Sequence, residues 1–95
     1  MKILRMPQVK EETGHRSHAS IYAAIKAGLF TKGILIGQRA KGWPSEEVAT
    51  INKARIAGFS DNDIRDLVNR LHMSRNQNFN LSETVNSSSQ IQGPK

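Results

Sequence analysis

The sequence predicts a mainly α-helical fold with one small β-hairpin, in which three to four helices pack beside a two-stranded ribbon. Apolar residues recur at helical spacing in several segments, whereas the run Ile34-Leu35-Ile36, with glycines on both sides, is typical of a strand. Residues 1–43 carry eight basic and two acidic side chains, which accounts for the whole formal net charge of +6. A helix beside a cationic ribbon suits the grooves of DNA, and this charge asymmetry is typical of a surface that follows phosphates.

Length and composition limit the classes of protein. A chain of 95 residues, of which 37% are hydrophobic, provides one domain with a modest core and little room for a deep catalytic cleft. The absence of cysteine excludes disulfides and thiolate metal sites and favours an intracellular protein. The N-terminus, interrupted by Arg5 and Pro7, does not resemble a signal peptide, and no segment approaches the roughly 18 apolar residues of a membrane span. We therefore expect a soluble, cytoplasmic protein with no membrane partner.

Two short helices are predicted in the first third of the chain. The first covers residues 7–13, with Pro7 in its first turn and Gly14 at its C-terminal end. Ser17 is a suitable N-cap for the second helix, and Gly28 ends it. The spacing i, i+1, i+4, i+8 predicts that the inner face of the second helix consists of Ile21, Tyr22, Ile25 and Leu29.

The pattern then changes to a ribbon that is predicted to turn at residues 37–41 and to end at Trp43, the only tryptophan. Such a ribbon must pack on the helices, because two strands alone are not stable. The run Pro44-Ser45-Glu46-Glu47 opens a third helix, since proline and carboxylates both suit a helix N-terminus. Gly58 caps this helix, and its inner face is predicted to contain Val48, Ile51 and either Ala54 or Arg55.

A fourth helix, at about residues 60–72, is predicted to begin at Ser60, with Asp63 completing a variant of the capping box. Its apolar stripe consists of Ile64, Leu67, Val68 and Leu71. Arg65, Arg70 and Arg75 are equally well explained as merely solubilising, since Asp61, Asp63 and Asp66 offset their charges. After residue 75 the composition changes to Asn, Gln and Ser. We therefore predict one domain over residues 1–75, with the fourth helix as an extension, and a disordered polar tail over residues 76–95.

Four motifs resemble the AlpA-like family of prophage regulators: Thr13-Gly14, Ser20-Ile21-Tyr22-Ala23-Ala24-Ile25-Lys26-Ala27-Gly28-Leu29-Phe30, Ile36-Gly37-Gln38-Arg39-Ala40-Lys41-Gly42-Trp43 and Glu46-Glu47-Val48. The resemblance covers roughly residues 3–56. It implies a winged helix-turn-helix fold of the MerR-like and excisionase-like type. It also implies a DNA-binding protein of the bacterial nucleoid that regulates transcription of a mobile element, directs its recombination as an excisionase, or does both.

The resemblance assigns the second helix as the recognition helix and the ribbon, with its turn at residues 37–41, as the wing. The implied DNA contacts on or before the helix are Arg16, Ser17, His18, Ser20 and Lys26, and those on the wing are Arg39 and Lys41. The implied structural core is Ile21, Tyr22, Ile25 and Trp43. The chain differs from the usual family pattern at His18, where an arginine is common, and at Thr31, where a proline is common.

Other interpretations of these residues are weaker. Any single cation is as well explained by ordinary solvated surface, and only the clustering of cations favours a nucleic-acid partner. His15 and His18 lack further ligands nearby, so we expect no metal and no cofactor. No catalytic residues are expected, and the protein is not expected to be an enzyme. The expected partner is double-stranded DNA, at promoter or attachment-site repeats, with integrase and self-association as further candidates. The alternative is a protein-binding inhibitor or antirepressor with the same fold.

Overall fold

Four helices and three short strands follow one another in a computed structural model that describes residues 2–87, with side chains described for residues 2–77. They are β1 (Ile3–Leu4), α1 (Met6–Thr13), α2 (His18–Lys26), β2 (Ile34–Leu35), β3 (Lys41–Pro44), α3 (Ser45–Ile56) and α4 (Asp61–Ser87). The predicted fold class, mainly α with a small β wing, is confirmed. None of these helices is both long enough and apolar enough to cross a membrane.

The helices begin and end at the residues whose chemistry suits those positions. Ser17 has an extended backbone, and its hydroxyl oxygen accepts a hydrogen bond from the N–H of Ser20 at 3.1 Å, so it caps α2 as predicted. Ser60 accepts in the same way from the N–H of Asp63 at 3.2 Å, at the start of α4. Gly14 follows α1 at φ 79°, a left-handed conformation that favours glycine.

The strands form an antiparallel sheet in the order β1-β3-β2. The ribbon of β2 and β3 was predicted, and β1 adds a third strand, with Leu4 opposite Trp43. The backbone N–H of Ser45 also donates to the carbonyl of Lys2 at 2.7 Å, which ties the N-terminal strand to the start of α3. Gly42 makes this pairing possible, because a Cβ at this position would collide with the side chain of Ile3.

Trp43 lies at the centre of the core and is completely buried. Its indole N–H donates to the carbonyl of Thr31 at 2.9 Å, which fastens the wing to the segment that follows α2. In α3, Ala54 is buried and Arg55 is exposed, which resolves the alternative left by the sequence. The buried apolar residues come from all parts of the domain: Leu4, Val9, Ile21, Phe30, Trp43, Val48, Ile51, Ala54, Ile64 and Val68.

A nearly buried ion pair joins α4 to α3. Both carboxylate oxygens of Glu47 accept from the guanidinium of Arg75, at 2.8 and 2.6 Å, in a bidentate arrangement. Glu47 is only 7% exposed, so this pairing is what allows a carboxylate at a core position of α3. Arg75 is therefore a structural residue, and its interpretation as merely solubilising is wrong.

The fourth helix is longer than predicted. The sequence indicated an end near residue 72, whereas α4 continues to Ser87, and residues 76–87 of the expected tail are helical. No glycine or proline occurs between Gly58 and Gly93 to break the helix, and the Glu47 pairing holds it at Arg75. Residues 88–95, where a disordered tail was also expected, lie outside the described residues.

Candidate nucleic-acid interface

One face of α2 is free of the core. The exposed positions recur at i, i+1, i+4, i+5 and i+8, which is a single stripe along the helix: His18, Ala19, Tyr22, Ala23 and Lys26. On the opposite side Ile21 is completely buried, and Ala24 and Ile25 are half-buried against the core. The helix thus packs through one side and leaves the other exposed.

Tyr22 lies on the exposed stripe, at 43% exposure, so its assignment to the core is wrong. The sequence analysis placed it inside as the i+1 member of the spacing i, i+1, i+4, i+8, but it lies one helical turn beyond His18 on the outer face. The ammonium nitrogen of Lys41 lies 5.7 Å from the centre of the Tyr22 ring, within the range of a cation–π interaction. This contact joins the exposed face of α2 to the wing.

The exposed stripe and the wing meet at an open cleft of about 240 Å³. The basic groups on its walls are Arg5, His18, Arg39 and Lys41, which come from the residue before α1, from α2 and from the wing. Tyr22 and Trp43 line the same cleft. Three permanent cations around one concave surface form a site suited to an anion, above all to a phosphate.

Arg5 was not singled out from the sequence. It follows β1 directly, and the pairing of β1 with β3 brings it beside the wing, more than 30 residues further along the chain. In the sequence, only its positive charge and its position within the basic residues 1–43 indicated a role for Arg5. Its placement depends on a strand of two residues, which is too short to have a recognisable period.

The other predicted contacts lie outside this cleft. Ser17 caps α2, and the hydroxyl of Ser20 shares a hydrogen bond of 2.5 Å with Nδ1 of His15, so both serines stabilise the start of the helix. Arg16 is exposed just before α2, and Lys26 is exposed at its C-terminal end. The cleft therefore brings together His18, Arg39 and Lys41 from the predicted set.

A helix with a free outer face, followed by a β-hairpin that carries cations to the same side, defines a helix-turn-helix protein with a wing. The family model described as "Prophage CP4-57 regulatory protein (AlpA)" matches residues 2–55, more than half of the chain. The chain therefore belongs to this family of prophage regulatory proteins. Comparison with curated proteins and with solved structures gives no match. The matched residues include every side chain of the cleft, whereas α4 lies beyond them.

Proposed function

We propose that the protein is a DNA-binding regulator of a prophage or integrative element, which acts in the cytoplasm as a transcriptional regulator, as an excisionase, or as both. The observation that carries this proposal is the convergence of Arg5, Arg39 and Lys41 on the cleft beside the exposed stripe of α2. An exposed helix flanked by cations fits a duplex, because the helix can enter the major groove while the cations contact phosphates.

The side chains have different roles in this proposal. His18, at the N-terminal end of α2, is the candidate for reading base edges, with Arg16, Ser17 and Ser20 beside it. Arg39, Lys41 and Arg5 contact phosphates and supply affinity that depends on salt. Tyr22 holds Lys41 toward the helix, so the helix and the wing contact adjacent parts of the backbone.

One module of this size reads few base pairs. We therefore propose that several copies bind repeated sites and contact one another there, and that bending of the DNA by the bound copies helps an integrase to favour excision. Footprinting across the element's attachment site and promoter separates the two roles. Protection of repeats beside the crossover point supports an excisionase, whereas protection confined to the promoter supports a transcriptional regulator alone.

The phosphate contacts are tested by measuring affinity for the element's attachment and promoter DNA over a range of salt concentrations. The Arg39→Ala variant should bind all sequences more weakly, and the slope of log K against log salt should decrease by roughly 1 for the lost contact. Arg70→Ala is the matched control, since Arg70 is an exposed cation on α4 outside the cleft. Unchanged affinity and slope in Arg39→Ala would contradict the role of the wing. A His18→Ala variant should instead change the preference among sequences.

A protein partner is the second candidate, because Leu35 and Ile36 of the wing are 64% and 45% exposed. Apolar side chains at such positions suit a protein surface better than a phosphate backbone. The same mobility-shift experiment separates the two functions. The absence of a discrete shift at moderate salt, together with binding to a purified regulator of the element, would favour an inhibitor or antirepressor over a DNA-binding protein.

A further inference from the structure

The segment that joins α2 to the wing, residues 27–32, is held by α4 at both of its ends. Nε of Arg65 donates to the carbonyl oxygen of Ala27 at 2.9 Å, directly after the last turn of α2. At the other end, the backbone N–H of Lys32 donates to Nε2 of His72 at 3.1 Å, and the carbonyl of Lys32 accepts from Nη2 of Arg75 at 2.9 Å. We call these three α4 residues the brace.

The brace residues share one side of α4. Relative to Arg65, His72 is at i+7 and Arg75 at i+10, so all three lie within about a quarter of the helix circumference. The buried Val68 lies between them and packs into the core. The packing that positions α4 against the core therefore also directs the brace residues toward residues 27–32.

The opposite side of this segment is fixed by the core. Phe30 and Thr31 are buried, and the indole N–H of Trp43 donates to the carbonyl of Thr31. The bonds from Arg65 and Arg75 satisfy two backbone carbonyls, one of them at the C-terminal end of α2. The segment is therefore held by the core on one side and by α4 on the other.

The protonation state of His72 agrees with its role as an acceptor. Burial lowers the pKa of His72 below its usual 6.5, the charges of Arg75 and Lys32 lower it further, and Glu47 opposes them. A neutral imidazole can accept through Nε2, whereas a protonated one cannot.

We propose that the brace fixes the angle between α2 and the wing, and that Arg65 and His72 are thereby positioning residues for DNA binding. The inference rests on the proposed function for its consequence, though not for its geometry. The family model matches residues 2–55, so the brace comes from a helix outside the matched part of the chain. When the angle between α2 and the wing is fixed before binding, a duplex whose contact points lie at the matching spacing is favoured over others. The brace therefore contributes mainly to specificity.

The test uses a variant that removes two brace contacts, Arg65→Met with His72→Leu. Arg75 is left in place because it also pairs with Glu47. Arg70→Met is the charge-matched control on an exposed position of α4, and Val48→Ala is the stability control, since it removes buried volume from α3 and leaves the bonds between α4 and residues 27–32 in place. A conservative variant, Arg65→Lys with His72→Gln, restores a donor and an acceptor and should behave as the wild type does.

The first measurement reports the position of the wing relative to α2 as a distance between two labels. Since the chain has no cysteine, spin labels at Ala23→Cys and Gln38→Cys report the distance between α2 and the wing without background. The distance distribution should broaden in the brace variant and stay narrow in the two controls and the conservative variant. A distribution in the brace variant as narrow as that of the wild type, or equal broadening in Val48→Ala, would overturn the brace.

The second measurement uses a duplex of roughly 20 base pairs that the wild type enriches from a random pool, and a scrambled duplex. The brace variant should lose about tenfold in affinity for the enriched duplex, and should bind the scrambled duplex as Arg70→Met does. Equal affinity of the brace variant and the wild type for the enriched duplex would refute the positioning role. If the wild type enriches no duplex, the proposed function fails, and the spin-label distances alone decide whether the brace exists.

Discussion

Removing one partner of the Glu47–Arg75 pair should destabilise the protein far more than removing both charges. In Arg75→Met, the carboxylate of Glu47, at 7% exposure, loses both of its hydrogen bonds and remains in the core. Breaking a buried pair in this way costs about 3–5 kcal/mol. For a small domain this corresponds to a decrease in Tm of roughly 12–40 °C.

The double variant Glu47→Met with Arg75→Met replaces the pair by two unbranched apolar side chains of similar size, which need no hydrogen-bond partner. Because buried ion pairs contribute little beyond their neutral replacements, its free energy of unfolding should lie within about 2 kcal/mol of the wild type. Arg75→Met and the double variant both lose the bond from Arg75 to the carbonyl of Lys32. This loss therefore cancels when the stabilities of these two variants are compared.

Urea unfolding followed by circular dichroism measures the four free energies of this double-mutant cycle, and unchanged m-values confirm comparable unfolded states. If Arg75→Met alone does not fold, restoration of folding by the second substitution, Glu47→Met, would show the same coupling between the two positions. A coupling energy below about 0.5 kcal/mol, with the double variant as unstable as the sum of the single variants, would refute the reasoning.

Three further predictions concern single positions and are measured by unfolding experiments. Gly42→Ala should destabilise the protein by about 1–3 kcal/mol, because its Cβ collides with Ile3, whereas the control Gly37→Ala meets only ordinary contacts. Thr31→Val should stabilise by about 1 kcal/mol, because the buried hydroxyl of Thr31 has no hydrogen-bond partner among the described side chains and backbone, and an unchanged or lower Tm would contradict this. The lowered pKa of His72 means that the unfolded chain binds the proton more tightly, so stability should decrease as the pH falls through 6.5. His72→Gln should lose that part of the pH dependence between about pH 7.5 and about pH 5.5, and an identical pH profile would refute the assignment.

The sequence predicted those features that depend on neighbouring residues. Ser17 and Ser60 were identified as caps because an N-cap bond reaches only three residues ahead. Gly14 was identified at the end of α1 because a left-handed residue favours glycine. These local signals, with the family motifs, were sufficient for the order of the helices and for the wing.

Features that join distant parts of the chain were not predictable in this way. The pairing of β1 with β3 spans about 40 residues, and with it the placement of Arg5 in the cleft. Glu47 and Arg75 are 28 positions apart, and nothing local distinguishes Arg75 from the exposed Arg70. Tyr22 was misplaced because the spacing i, i+1, i+4, i+8 included it in the inner face, whereas its neighbours at i−4 and i+4, His18 and Lys26, lie on the exposed stripe.

The alternation of buried and exposed positions along α2 has a consequence for how such a protein diverges. Substitutions on its outer stripe leave the core untouched and usually change stability by less than about 0.5 kcal/mol, whereas truncation of Ile21 to alanine costs about 2–5 kcal/mol. With respect to stability, the outer residues can therefore vary almost freely, whereas the inner ones remain constrained. Under the proposed function, the exchange of a few surface side chains on α2 would change the target of the protein and leave its scaffold unchanged.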